Sequence, residues 1–156
     1  MIKYKKLHKN ASIEEPKKEG DAGYDIKTTS YEIENDTIIF KTGIAIEMPP
    51  LPVELQQFGW SRVCLAFMRS SIANFPFILS NAVGVIDFGY RGEILAKFKI
   101  TNRNAVNSTL LEKFVSKPII QLVFIMCDNS LKLKQVGELS KTQRGENGYG
   151  HTDVLE

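Results

Sequence analysis

Short apolar runs with a period of two dominate the chain. In Ile94–Ile100, residues Ile94, Ala96, Phe98 and Ile100 fall on one face, and Lys97 and Lys99 fall on the other. That alternation predicts a half-buried strand. Thr37–Phe40 is β-branched and aromatic, and Gly43–Met48 runs into the stop Pro49-Pro50. Arg62–Met68 is a further strand, and Ile119–Met126 is apolar enough to be buried on both sides. Glycine, asparagine and proline punctuate the gaps. No long helical period is present, although Ser70–Phe75 suits one short helical turn after the Arg62–Met68 strand. Many short strands between turn signals predict an all-β sandwich, jelly roll or barrel.

Composition narrows the class. The chain has 156 residues, 43% of them hydrophobic and 24% charged, which fits one ordered domain and excludes global disorder. Lys plus Arg is 20 against 18 for Asp plus Glu, a formal charge of +2. Proteins that hold nucleic-acid backbones carry a larger basic excess, so no stable nucleic-acid binding is expected. Lys3, Lys5, Lys6, Lys9, Lys17 and Lys18 are diluted by Glu14, Glu15 and Glu19 and read as a solvated face. Cys64 and Cys127 form no CxxC pair and lie far along the chain from His8 and His151, so neither a disulfide framework nor zinc is expected. Ile119–Cys127 is too short to span a bilayer, and the first residues, MIKYKKLHKN, lack an apolar signal core. A cytoplasmic protein without membrane attachment is the expectation.

Three segments offer chemistry. In Asn81–Glu93, apolar residues lead to Asp87, and Phe88-Gly89 precedes Tyr90. If Phe88-Gly89 is a two-residue hairpin loop, with Gly89 at positive φ, then Asp87 and Tyr90 are opposed across the strands. Asp87 capping its own turn is the alternative. Arg69-Ser70-Ser71 offers a cation, two hydroxyls and backbone donors that suit a polyphosphate, or else a capping serine. The polar stretch Arg144–Asp153 sets Tyr149 among three glycines. It is expected to be a flexible tail that closes over a ligand or simply frays.

Taken together, five ordered segments resemble the motifs of the trimeric dUTPase family. They are Asp21–Ile26, Arg69–Ala73, Gly84–Glu93, Ile119–Phe124 and Arg144–Thr152. Thr42–Pro49 also resembles that family's strand between its first two motifs. The resemblance spans about residue 20 to residue 153. It implies a jelly-roll-like β domain over 1–143 and a tail over 144–156 that closes on the active site. It also implies a homotrimer with sites shared between subunits. The implied activity is Mg²⁺-assisted hydrolysis of dUTP to dUMP and pyrophosphate, which keeps uracil out of DNA and supplies dUMP for thymidylate synthesis.

Carried onto this sequence, the resemblance makes Asp87 the carboxylate that activates water for attack on the α-phosphorus. Tyr90 packs under the deoxyribose and leaves no room for a 2′-hydroxyl. Asn81 reads the uracil edge, aided by Gly84 and neighbouring backbone groups. Arg69, Ser70, Ser71 and Gln121 contact phosphates, and Asp25 lies near metal-bound water while substrate phosphates hold most of the Mg²⁺. In the tail, Arg144, His151 and Thr152 meet anions, and Tyr149 covers the uracil beside Gly150.

Some positions depart from the family's usual pattern. Gly89 stands where Asp is frequent, and Met68 stands where Pro precedes the arginine. Ser116-Lys117-Pro118 replaces a Gly-acidic-basic lead, Asn147 replaces a glycine and Asp153 stands where Gly is common. Two rivals share the fold. One is a dCTP deaminase. The other is a regulator that binds a protein through Phe75–Phe77 or Leu55–Trp60, and nothing in the sequence specifically indicates such a partner.

Overall fold

The computed structural model describes residues 1–146. Its core lies between two antiparallel sheets. One sheet runs in the order β4 (Ser30–Glu34), β5 (Thr37–Lys41), β10 (Leu95–Ile100), β8 (Phe77–Leu79). The other runs β2 (Ile13–Glu14), β3 (Tyr24–Lys27), β11 (Pro118–Asp128), β7 (Trp60–Met68), β9 (Gly84–Ile86). A smaller pair joins β1 (Lys3–Lys6) to β6 (Ile44–Glu47). The two described helices are single turns, α1 (Val53–Gln56) and α2 (Ser108–Glu112). This is the expected jelly-roll-like all-β architecture.

The period of two in Ile94–Ile100 holds. Ile94, Ala96, Phe98 and Ile100 are buried, and the residues between them on β10 are exposed. Phe98 pairs with Ile38 on one side and Leu79 on the other, and its ring meets Phe40 and Phe77 at centroid distances of 5.8 and 5.4 Å. Such edge-on pairs add packing specificity to the burial itself. The two buried threonines, Thr28 and Thr42, are satisfied by backbone carbonyls. Thr42 donates to the Ile94 carbonyl at 2.7 Å and accepts from the Ile44 N–H at 3.1 Å, which ties the start of β6 to the start of β10.

The longest ladder joins β7 to β11, from Ile120↔Met68 to Asp128↔Trp60. Alternation along it defines two faces. Cys64, Ala66, Ile120 and Leu122 point into the core. Val63, Leu65 and Phe67 therefore point outward, and Val123 and Ile125 stand beside them on β11. Val85 on β9 extends this outer apolar stripe and is 64% exposed. Beyond β11, residues 129–146 are exposed throughout and carry Leu131, Leu133 and Leu139 away from any core.

Both cysteines are free. Burial pushes the Cys64 thiol up from 9.0 to about 12. Between those values the unfolded chain loses a proton that the folded chain keeps, so stability falls as pH rises above about 9. Cys64 should resist iodoacetamide at pH 8 until denaturant is added, as peptide mass spectrometry would show.

Candidate active site

Four of the five motif segments lie on the sheet of β7 or just beyond its strands. β9 pairs with one edge of β7 (Gly84↔Ala66, Ile86↔Cys64), and β11 pairs with the other (Gln121↔Phe67). Because β9 runs antiparallel to β7, the chain after Ile86 moves away from Arg69. Asp87 therefore stands level with Val63 or beyond, at least six residues back along β7 from Arg69. At about 3.3 Å per residue, their backbone positions are roughly 20 Å apart within one chain.

The first depression, about 230 Å³, is lined by Asn81, Gly84, Asp87, Tyr90 and Glu93 among others. Asn81 sits in a tight loop whose next residue, Ala82, is held at φ 55. A non-glycine residue there stores strain, of order 1 kcal/mol or more, beside the Asn81 amide. Gly84 lies against Ala66, where an added Cβ would come within 3.2 Å of the Ala66 Cβ and 3.6 Å of the Asn81 amide nitrogen. A Cβ at 84 would crowd the floor of the depression, and Ala66 would have to give by a few tenths of an ångström.

The Asp87–Tyr90 segment departs from the expected hairpin. It is a turn, closed by the Tyr90 N–H donating to the Asp87 carbonyl at 3.0 Å. Gly89 is not at positive φ, so the turn does not depend on glycine. Among the described residues β9 pairs only with β7. The chain crosses to the other sheet and enters β10, so Asp87 and Tyr90 are the ends of one turn and not a cross-strand pair. The Asp87 carboxylate does not cap the turn, and it makes no hydrogen bond or ion pair among the described residues.

Tyr90 has a fixed pose. Its hydroxyl donates to the Glu93 carbonyl at 2.9 Å. Its ring lies over Gly92, where an added Cβ would be only 2.4 Å from the phenolic oxygen. Glu93 in turn accepts from the Gly43 N–H at 2.7 Å. Gly43 is at φ 64 with His8 and Ala11 packed against it, so no larger residue fits. Arg91, Gly92 and Glu93 thus shape the site although the sequence assigned them no role. Their only signal was position, directly after Tyr90 in a motif.

The second depression, about 250 Å³, is lined by Asp25, Arg69 and Gln121, with Gly23 and Lys17 beside them. Asp25 and Gln121 are directly opposed on β3 and β11. Arg69 Nε donates to Asp25 Oδ1 at 2.9 Å. Gly23 leaves room for the Gln121 side chain, whose amide oxygen would lie 2.2 Å from any Cβ there. Ser70 and Ser71 form a 3₁₀ turn anchored by buried Ile72, and both are exposed with no side-chain hydrogen bond among the described residues. Arg144 lies in the exposed C-terminal stretch. Tyr149, Gly150, His151 and Thr152, with Asn147 and Asp153, lie outside the described residues.

A family model described as dUTPase matches residues 9–153. The chain belongs to the dUTPase family.

Relatives agree in length as well as in sequence. The deoxyuridine 5′-triphosphate nucleotidohydrolase of Clostridium acetobutylicum is 30% identical over 98% of this chain and 97% of its own. That of Clostridium kluyveri is 34% identical over 97% and 96%. Among solved structures, a variant dUTPase of Staphylococcus bacteriophage 80alpha with dUpNHpp aligns at a TM-score of 0.73 and 25% identity, covering 99% of both chains. A variant dUTPase from phage phi11 of S. aureus, described as coordinating a structural Mg(II) ion, shares the fold at 0.65 and 22% identity, over 90% of this chain and 99% of its own.

Against the pattern usual in dUTPases, two departures have a structural account. Ser116 adopts φ 66, the conformation for which glycine is the ordinary residue, and its N–H bonds the Thr28 carbonyl at 2.9 Å. Gly89 faces open space in a turn that needs no glycine, so the frequent Asp and this Gly both fit. No helix among the described residues is long and apolar enough to cross a membrane.

Proposed function

We propose that this dUTPase hydrolyses dUTP to dUMP and pyrophosphate at a site assembled from more than one copy of the chain. The reading rests on one observation. The Asp87 carboxylate has no partner among the described residues, and it opens onto the depression that also holds Asn81, Gly84 and Tyr90. A free carboxylate in such a place can take a proton from water as that water attacks the α-phosphorus. The bond to the bridging oxygen breaks, pyrophosphate leaves, and dUMP keeps the new oxygen. Asn81 and the Gly84 backbone read uracil, and Tyr90 packs under the sugar.

Arg69 is the principal phosphate contact. Its Nε is committed to Asp25, which fixes the plane of the guanidinium and leaves the Nη donors for phosphate oxygens. Ser70, Ser71 and Gln121 add donors. Among the described residues no group of three His, Cys, Asp or Glu side chains is placed to hold a metal. A donor set of that kind suits Mg²⁺ held mainly by substrate phosphates and water, with Asp25 reaching it through water. When bound, the ion neutralises charge on the triphosphate. Removal of dUTP from the nucleotide pool and supply of dUMP are the proposed roles.

Two features support a homotrimer. The backbone positions of Asp87 and Arg69 are roughly 20 Å apart in one chain, farther than one triphosphate ester can bridge while both act on it. The outer stripe of Val63, Leu65, Val85, Val123 and Ile125 is apolar and needs cover. Cyclic assembly answers both, because it sets the Asp87 lobe of one copy against the Arg69 lobe of the next. The body over 1–143 forms that ring, and the tail over 144–156, with Arg144, Tyr149, Gly150, His151 and Thr152, closes on a site to which its own chain does not give Asp87.

The test is pyrophosphate release from dUTP, dCTP and UTP. Turnover of dUTP alone supports the reading, ammonia from dCTP would mark a deaminase, and no turnover would leave only a binding protein.

Gly92→Ala probes Tyr90. A methyl at 92 displaces the ring and breaks its bond to the Glu93 carbonyl. The ratio of kcat/KM for dUTP over UTP should fall by roughly tenfold, within the range that steric fit supplies. An unchanged ratio would place sugar discrimination elsewhere.

A further inference from the structure

The Asp87–Tyr90 turn is held without glycine freedom and without a strand beside it. Its own closing bond joins the Tyr90 N–H to the Asp87 carbonyl. Two other carbonyls of the turn, those of Phe88 and Tyr90, would otherwise have only water. Arg91 takes both. Its Nη1 donates to the Phe88 carbonyl at 2.7 Å and to the Tyr90 carbonyl at 2.9 Å. A single guanidinium nitrogen therefore clips the loop across its open side.

We propose that Arg91 is a positioning residue for the reaction, pinning the turn so that the Asp87 carboxylate is held where water is activated. The inference rests on the reading of Asp87 as the base.

The surroundings of Arg91 fit this role. Lys3, Lys5, Glu47 and Arg91 line one depression of about 330 Å³ beside the turn. Glu47 lines the same depression and feels the charge of the guanidinium. Its carboxylate is engaged by Lys3, whose Nζ lies 2.7 Å from Glu47 Oε1 across the β1–β6 pair. The Lys3 hydrogen bond and charge hold the Glu47 carboxyl below the usual carboxylate range, and Arg91 adds to this less strongly. Glu47 is thus bonded to Lys3, and Nη1 is bonded to the two carbonyls. A general base displaced by about 1 Å loses on the order of 10²-fold in rate even when substrate still binds. Release of the clip should therefore act mainly on turnover, because Tyr90 keeps its own bonds to the Asp87 and Glu93 carbonyls.

The experiment compares wild type, Arg91→Ala, Arg91→Lys and Asp87→Asn. It measures kcat and KM for dUTP, Kd for dUpNHpp and the melting temperature. Arg91→Ala should lose roughly 10- to 100-fold in kcat, with KM and Kd changed by less than about threefold. Both hydrogen bonds leave one nitrogen, so an ammonium with three donors can replace part of the clip, although its stem is one bond shorter. Arg91→Lys should therefore fall between Arg91→Ala and wild type in kcat.

Four results would overturn the proposal. A raised KM and Kd with kcat intact would mean that Arg91 touches the substrate. Equal loss of turnover, binding and melting temperature in the Ala and Lys variants would mean a general role in folding. Normal kinetics in Arg91→Ala, with Asp87→Asn inactive, would leave Asp87 as the base and remove Arg91 alone. If Asp87→Asn itself turns over normally, the reading of the base fails and the positioning role falls with it.

Discussion

Asp87→Asn should lower kcat for dUTP by roughly 10²–10⁴-fold while dUpNHpp binding stays within a few-fold of wild type. The substitution keeps the size of the side chain and much of its hydrogen bonding, and it removes only the ability to accept a proton. The local structure makes this a clean experiment. The Asp87 side chain makes no hydrogen bond among the described residues, while its backbone carbonyl makes the bond that closes the turn. The amide therefore breaks no contact seen in the fold, and a change in melting temperature of more than a few degrees is not expected. Isothermal titration with dUpNHpp and a pyrophosphate-release assay on one preparation separate binding from chemistry. Turnover within tenfold of wild type would remove Asp87 from the reaction.

The strands legible in the sequence were those with a strong local pattern, alternating in Ile94–Ile100 and continuously apolar in Thr37–Phe40 and Ile119–Met126. Ile94–Ile100 alternates because one face of β10 meets the aromatic core and the other meets water, and pattern alone reveals that. β1 and β4 carry no buried residue, so their pairing rests on neighbours that no local pattern encodes. β9 is three residues long, with Gly84 and Ile86 facing inward and Val85 facing outward, too short for a period to register. The hairpin expected at Asp87 failed for a related reason. An apolar run, a turn and a second apolar run describe a hairpin and a crossing between sheets equally well. The partners of Leu95 and Phe98 on β5 and β8 decide between them, and they lie far away in sequence. Motif order grouped Asp25, Arg69 and Gln121, which the fold brings into one depression. The long-range contacts were not legible. Glu93 reaches Gly43, and Arg91 faces Glu47 across a depression, and both depend on β6 passing beside the turn.

The largest expected effect belongs to assembly. Asp87→Asn and Arg69→Ala should each be nearly inactive as pure proteins, the first for want of a base and the second for want of its principal phosphate contact. Arg69→Ala also leaves Asp25 without its partner at 2.9 Å, which makes the phosphate lobe more negative and adds to the loss. The two variants, unfolded together and refolded at equal amounts, should regain activity. In a ring where the Asp87 lobe of one copy meets the Arg69 lobe of the next, every mixed trimer contains one interface with both lobes intact. Mixed rings are about three quarters of random trimers and each has about one good site in three, so recovery should approach roughly a quarter of wild type. Differently tagged subunits and light scattering verify that mixing has occurred and that trimers persist. If mixing is demonstrated and no activity returns, Asp87 and Arg69 act from the same chain, and their separation along β7 must close by a rearrangement of β9. Recovery near a quarter would instead make the β7 ladder the spacer between lobes that only neighbouring copies can join.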